Sequence, residues 1–427
     1  MRAATAARRA ALAILGAVRA GTPFRDAVDP AVDGLAERDR RLAYELSAGV
    51  LRRQAQLDRA LELGRTDPRL HDVLRLGAYQ LRCLTRVPPH AAVSTSVELA
   101  RETAGEGPAR FVNQALRKLT GTGYRVSGTG LTHPEWLVRR WEARFGKADT
   151  QRLLEWNDTK PSLTLQAARW DRATLTRRLH EAGISVTEAA FDVGLRITPA
   201  PGTRHPIPSR LPGFAEGGFV VQDPAHALVC RFAAIPSGWL VYDACAAPGG
   251  KAVALEVGGA RVVAGDARRD RLPRLADTAR RAGVAVRCVA ADLEAAPFAP
   301  GRYDAVLVDA PCSATGTIAR HPDARWRLTP ELFARAATRQ ARLLAAAAPL
   351  VRPGGGLLIY ATCSLEPEEN TAVVEDFLSR HPAFLRARPP RDVAVPADLL
   401  TTVGDFQSLP QRHGIDGAYA ARLTRRA

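Results

Sequence analysis

The chain has no C-x-x-C pair, no G-x-G-x-x-G turn and no apolar run long enough to span a bilayer. Each absence removes a class of function. Six cysteines, at 83, 230, 245, 288, 312 and 363, lack the paired spacing of zinc sites, so no metal is expected. Without the dinucleotide fingerprint a nicotinamide-dependent dehydrogenase is disfavoured. Without about 20 consecutive apolar residues no membrane helix is expected. The stretch Ala10 to Val18 imitates a secretion signal, but Gly16 interrupts it and Arg19 and Arg25 follow closely, so it reads as a first helix. Lysine is scarce as well: four of the 60 basic residues.

What is present is arginine. The net charge is +16 and the pI about 10.4, which points to a polyanionic partner. Arginine suits phosphate forks and base stacking. A composition rich in Arg and Ala throughout is the alternative explanation, and the excess of basic over acidic residues favours nucleic acid over it. Residues 1–125 carry 21 Lys and Arg against 13 Asp and Glu, half of the whole excess. They read as all-helical. Leu42, Leu46, Val50, Leu57 and Leu61 keep helical spacing, and Leu70 to Leu84 line another helix behind an Asp67-Pro68 start. Val87-Pro88-Pro89 breaks it, and His90–Ala100 and Arg110–Lys118 give two more. Such a bundle is either an RNA-binding module or a solvated surface of arginines. Gly121–Gly130 reads as a linker. Trp136 and Trp141 start the next helix and read as core. Residues 161–223 alternate strand and helix: Ser162–Ala167, Arg172–Ala182, Ile184–Ala189.

The chemistry gathers around Asp243-Ala-Cys-Ala-Ala-Pro-Gly-Gly-Lys251. An apolar run from Trp239 to Tyr242 ends in Asp243, turns through Pro248-Gly249-Gly250, and enters a helix whose free N–H groups face a ligand. Gly258-Gly259 closes that helix early. Four further strands end alike: Arg261–Gly265 in Asp266, Val284–Ala290 near Asp292, Tyr303–Val308 in Asp309-Ala-Pro-Cys312, and Gly356–Ala361 in Thr362-Cys363-Ser364. Open α/β sheets bind ligands at this carboxyl edge. Two cysteines at strand ends favour reduced thiols and a cytoplasmic location.

With Ser313-Ala-Thr-Gly316 and Arg320-His321-Pro322-Asp323, these motifs resemble the RNA cytosine-5 methyltransferases of the Nol1/Nop2/Sun family, in the bacterial Fmu/Sun branch. The resemblance covers residues 216 to 423, and the front segment resembles the antitermination factor NusB. It implies a multidomain chain: a NusB-like helical RNA-binding domain (1–128), a small α/β linking subdomain (129–228) and a Rossmann-like class I methyltransferase domain (229–427). It implies a monomer that uses S-adenosylmethionine on RNA, in this branch the small-subunit ribosomal RNA. Cys363 would be the nucleophile and Cys312 would serve proton removal or release. Asp309 would lie near cytosine N3 and the methyl donor. Cys245, Ala246, Ala247, Pro248, Gly249, Gly250 and Lys251 would wrap the donor's methionine end. Asp266 would hold its ribose and Asp292 its adenine. Arg320–Asp323 would shape an RNA-facing rim.

The pattern is broken in places. Gln166-Ala167-Ala168 stands where the family shows Arg-Val-Asn, and Ala418 departs from the closing Asp-Gly-Phe-Phe motif. A transfer RNA target stays open. An amino-group methyltransferase is disfavoured by Asp-Ala-Pro-Cys in place of Pro-Pro-aromatic. A non-catalytic RNA-binding factor is disfavoured by two retained thiols and three retained acids.

Overall fold

A computed structural model describes residues 2–121, 132–198 and 207–427. The expected linker at Gly121–Gly130 falls, apart from its first residue, outside the described residues. By packing the chain divides into two compact units: residues 1–160 with 318–328, and residues 161–317 with 329–427. Among the described residues no helix is long and apolar enough to cross a membrane.

The first unit is helical throughout: α1 (Arg2–Arg19), α2 (Phe24–Val32), α3 (Glu37–Leu61), α4 (His71–Cys83), α5 (Pro89–Ala104), α6 (Glu106–Gly121) and α7 (Glu135–Asp158). Apolar side chains at helical spacing build its core, with Ile14, Leu46, Val50, Leu57, Leu76 and Leu116 fully buried. The sequence reading has no counterpart for α2, because Pro30 inside so short a segment looks like a breaker. Asp67 caps not α4 itself but the short 3-10 turn Pro68–Leu70 before it. Trp141 is buried as expected, its ring edge-on to His133, and Trp136 is half-buried.

The segment Ile318–Leu328 belongs to this helical unit. Arg325 is completely buried and donates to Asp158 (2.8 Å) and to the carbonyls of Asn157 (2.8 Å) and Thr132 (3.0 Å). Trp326 Nε1 donates to the Leu51 carbonyl at 2.7 Å. Asp323, 1% exposed, accepts from the Phe24 amide and from Arg327. The expectation that Arg320-His321-Pro322-Asp323 forms a rim for RNA is corrected at Asp323. A carboxylate so buried, and engaged by the unit's own backbone, is an anchor.

The second unit carries two sheets. The smaller joins β1 (Thr164–Ala167), β2 (Val186–Glu188), β3 (Leu195–Ile197) and β4 (Phe219–Val221), antiparallel in the order β2-β3-β1-β4. Leu175 and Leu179 of the helix Arg172–Glu181 close its core over Leu165, Ile197 and Phe219. In the atypical segment, Gln166 Nε2 donates to the carbonyls of Val193 and Gln222, so this side chain braces backbone.

The larger sheet takes β5 (Leu240–Asp243), β6 (Arg261–Asp266), β7 (Arg287–Ala290), β8 (Ala305–Asp309), β9 (Leu357–Thr362), β10 (Phe384–Arg386), β11 (Phe406–Ser408) and β12 (Ala418–Arg425). The order is β10-β12-β9-β8-β5-β6-β7, with β11 paired to β12. β5 to β9 are mutually parallel, and β12 runs antiparallel to β9. Successive residues of a strand point to opposite faces, and here both faces are covered. Val241, Leu307 and Ile359 pack with Leu228 and Phe232 on one face, and Tyr242, Val306, Leu358 and Tyr360 with Leu343, Leu344 and Phe377 on the other. This explains the near-continuous apolar runs. β8 and β9 are neighbours in register Asp309 to Ala361, which brings the loops carrying Cys312 and Cys363 to the same edge.

Candidate active site

At that edge Cys312 Sγ and Cys363 Sγ lie 3.1 Å apart. The loop after β8 needs its shape for this. Ala314 sits at φ 60°, a left-handed conformation that costs a non-glycine residue about 1–2 kcal/mol. Gly316 donates to the Cys363 carbonyl (2.9 Å), and Gly417 donates to Gly316 (2.8 Å). A Cβ on Gly316 would come within 2.5 Å of the Gly417 carbonyl oxygen, so no side chain fits there. The closing motif is thus a brace for the thiol loop.

The thiols are not equivalent. The hydrogen bond to Cys363, then burial, then the charges of Cys363 and Glu369 push the Cys312 thiol well above its ordinary range. Lys251, by contrast, is within electrostatic reach of Cys363. Cys312 Sγ also accepts from the Cys363 amide at 3.3 Å, which ties the two loops together at the thiols.

Lys251, in the first turn of the helix Gly250–Val257, sends Nζ to Asp309 (2.7 Å) and His226 Nδ1 (3.2 Å). Burial alone would lower its pKa, but Asp309's charge and hydrogen bond outweigh that and raise it. The helix ends at Val257, as short as expected. Gly249 caps it at φ 106°, where a Cβ would press on Leu275. Asp266, at the tip of β6, accepts from the amides of Ala247 and Arg268. Asp292 is exposed and caps the turn Leu293–Ala295. Cys245 is half-buried, and burial, with Asp243 next, drives its thiol pKa up.

The sequence reading marks Asp243 only as a strand end, yet it is the most perturbed acid here. It is fully buried and neither carboxylate oxygen has a hydrogen-bond partner. Burial first, and the charge of Asp309 second, raise its pKa to about 8. The folded state therefore holds a proton that the unfolded chain, with an ordinary value of 3.8, has lost. Stability falls by about 1.4 kcal/mol per pH unit wherever that difference applies, from roughly pH 4 up to the folded value. Asp243→Asn is expected to unfold at a higher temperature than the parent at pH 8 without ligand. The gap should shrink towards pH 5; equal melting curves at both pH values would remove this reading of Asp243. Gln222 Oε1 is a second unpartnered buried acceptor, and its amide stands against Gly250. Unfilled buried acceptors beside a glycine turn fit a cationic ligand.

Two further groups escape a sequence reading. Glu369 has no motif spacing to either thiol. His226, before the glycine turn, touches Lys251 only through the fold.

A parallel core sheet with an antiparallel hairpin edge, a glycine turn after its first strand and polar tips on the next is a methyltransferase-type α/β domain. The profile of the 16S rRNA methyltransferase RsmB/F family matches residues 235–424, that of the NusB family residues 5–120, and that of the RsmF/B-like ferredoxin-like domain residues 133–201. A Synechocystis protein named "Probable ribosomal RNA small subunit methyltransferase B" is 35% identical over 98% of this chain and 99% of its own. The crystal structure of PH0851 superposes with a TM-score of 0.81 at 24% identity, covering 98% of both chains. That of NSun6 from Pyrococcus horikoshii with SFG gives 0.59 at 19% identity, over 68% of this chain and 98% of its own. The chain belongs to the RsmB/F family of small-subunit ribosomal RNA methyltransferases.

Proposed function

We propose that this methyltransferase transfers a methyl group from S-adenosylmethionine to C5 of a cytosine in small-subunit ribosomal RNA, through a thiolate addition. The observation that carries the reading is the pair of thiols 3.1 Å apart at the tips of adjacent strands. Cytosine C5 is too weak a nucleophile unaided, and a thiolate adding at C6 makes it enamine-like. Cys363 supplies the thiolate. Its electrons move into the ring towards N3, where the Lys251–Asp309 pair holds and stabilises the growing charge. The donor supplies an electrophilic methyl group to C5. Once Cys363 is bonded to carbon, Cys312 gives up its proton to solvent. Its sulfur then takes the C5 proton, and the electrons of that bond expel Cys363.

The donor would be held by the turn Cys245–Lys251, with Asp243 and Gln222 facing its cationic end, Asp266 its ribose and Asp292 its adenine. Asp266→Ala should weaken donor binding by about 1–3 kcal/mol, the cost of an unpaired polar contact; calorimetry giving unchanged affinity would remove Asp266 from the site. Residues 1–128 would recruit RNA, 129–228 would link, and 229–427 would carry the chemistry. The basic α6 surface, with Arg110, Arg117 and Lys118 exposed beside Phe111, favours an RNA contact in the first segment.

The test uses unmodified small-subunit RNA carrying tritium at cytosine C5. Each methyl group incorporated should release one tritium to water. Methylation without release would place the methyl on nitrogen or ribose, and activity on transfer RNA alone would move the substrate.

A further inference from the structure

Each catalytic-loop cysteine is followed by a serine, Cys312-Ser313 and Cys363-Ser364, and both serines reach the same carboxylate. Glu369 is fully buried. Its Oε2 accepts from the Ser313 amide (2.9 Å) and Gln340 Nε2 (2.9 Å). Its Oε1 accepts from the hydroxyls of Ser364 (2.6 Å) and Ser313. The Tyr360 hydroxyl fixes its backbone carbonyl at 2.6 Å. The two serine hydroxyls also touch each other at 3.1 Å, and Ser364 Oγ accepts from the Glu366 amide. Four donors therefore converge on one carboxylate, three from two loops 51 residues apart in sequence and the fourth, Gln340, from the helix Pro330–Ala347.

A buried charge is expensive, and a chain that only needed to join two loops could do so with apolar side chains. Charge-assisted hydrogen bonds are shorter and more directional than neutral ones, so they fix position as well as supply energy. The serine hydroxyls sit one residue beyond each thiol, and a shift of either loop would break a bond to Glu369 before it altered the sheet.

We propose that Glu369 is a positioning residue for the thiol pair: its buried carboxylate, gripping Ser313 and Ser364, sets the distance between Cys312 and Cys363. The inference rests on the two-thiol reading above. Gln at this position can keep the set of bonds, because its carbonyl still accepts and the two hydroxyls can turn to accept from its amide. Ala cannot.

The experiment uses the full-length chain, S-adenosylmethionine and unmodified small-subunit RNA. Glu369→Ala should lose about 100-fold in kcat, as an ångström-scale misplacement does, while donor KM stays within about twofold. Glu369→Gln should recover most of that loss. In a Cys312→Ala background, which should trap a covalent RNA adduct, adding Glu369→Ala should slow the band's formation by about 100-fold and adding Glu369→Gln should restore most of that rate. If Glu369→Ala does not fold, Ser313→Ala cuts one grip only and should cost about tenfold in kcat with donor KM unchanged. Unchanged kcat in the variant that folds, or a loss matched by an equal loss of donor binding, overturns the proposal. So does a trapped band that forms at an unaltered rate with Glu369→Ala. If the Cys312→Ala parent itself shows no band, it is the two-thiol reading that fails.

Discussion

Replacing Cys312 with alanine should turn the enzyme into a trap: a nuclease-sensitive band of slowed mobility on denaturing gels, with RNA bound through Cys363. On the proposed reading the attack and the methyl transfer do not use Cys312. Release would need the C5 proton removed, and on the proposed reading Cys312, its sulfur 3.1 Å from that of Cys363, takes it. Cys363→Ala should lose both methylation and the band, since loss of a nucleophile removes the covalent route altogether, typically by about 10⁴-fold or more. The double variant should show no band, because attack precedes release. The reverse pattern, with Cys363→Ala trapping RNA and Cys312→Ala merely inactive, would exchange the two roles.

The second large effect is expected at Lys251. Lys251→Met roughly keeps the volume but leaves Asp309 without its cation. Removing one member of a fully buried pair costs about 3–5 kcal/mol. Asp309 keeps 31% of its side chain exposed, so the loss should fall below that range. Activity should fall further, by about 10³-fold, as when a charge-stabilising donor is taken from a reaction centre. A double variant, Lys251→Met with Asp309→Asn, separates the two effects. It removes the orphaned charge and should restore melting temperature without restoring turnover. If turnover returns with stability, the pair is structural; if Lys251→Met is fully active, it has no part in the chemistry.

The sequence shows the chemistry of the sheet better than its edges. β5, β6, β8 and β9 are legible because each is a largely buried apolar run that stops at an acid or a cysteine, and the more exposed edge strand β7 because Asp292 follows it. β10 and β11 are three residues each, too short for a period to register, and β12, Ala-Tyr-Ala-Ala-Arg-Leu-Thr-Arg, has no regular alternation along a strand that is mostly buried. The two thiols are legible as neighbours because parallel strands joined by a crossover helix align their carboxyl ends. Their supports are not. Glu369 meets Ser313 across 56 residues, and Lys251 meets Asp309 across 58, and no local periodicity spans such gaps. Lys251 reads as part of a donor-binding turn, but its side chain is committed to Asp309. Asp323 reads as surface because it follows the thiol loop and a His-Pro turn, whereas Phe24, 299 residues away, claims it. Asp243 reads as a strand terminus; only its burial, with no donor for either oxygen, marks it as a group awaiting a partner.

The most direct measurement is mass spectrometry of the RNA adduct trapped by the Cys312→Ala chain, after nuclease and protease digestion. The account predicts one modified peptide, spanning Thr362-Cys363-Ser364, bonded through sulfur to a cytosine that already carries its C5 methyl group. A cytosine attached elsewhere in the chain, or attached at Cys363 without the methyl group after full exposure to the donor, would contradict it.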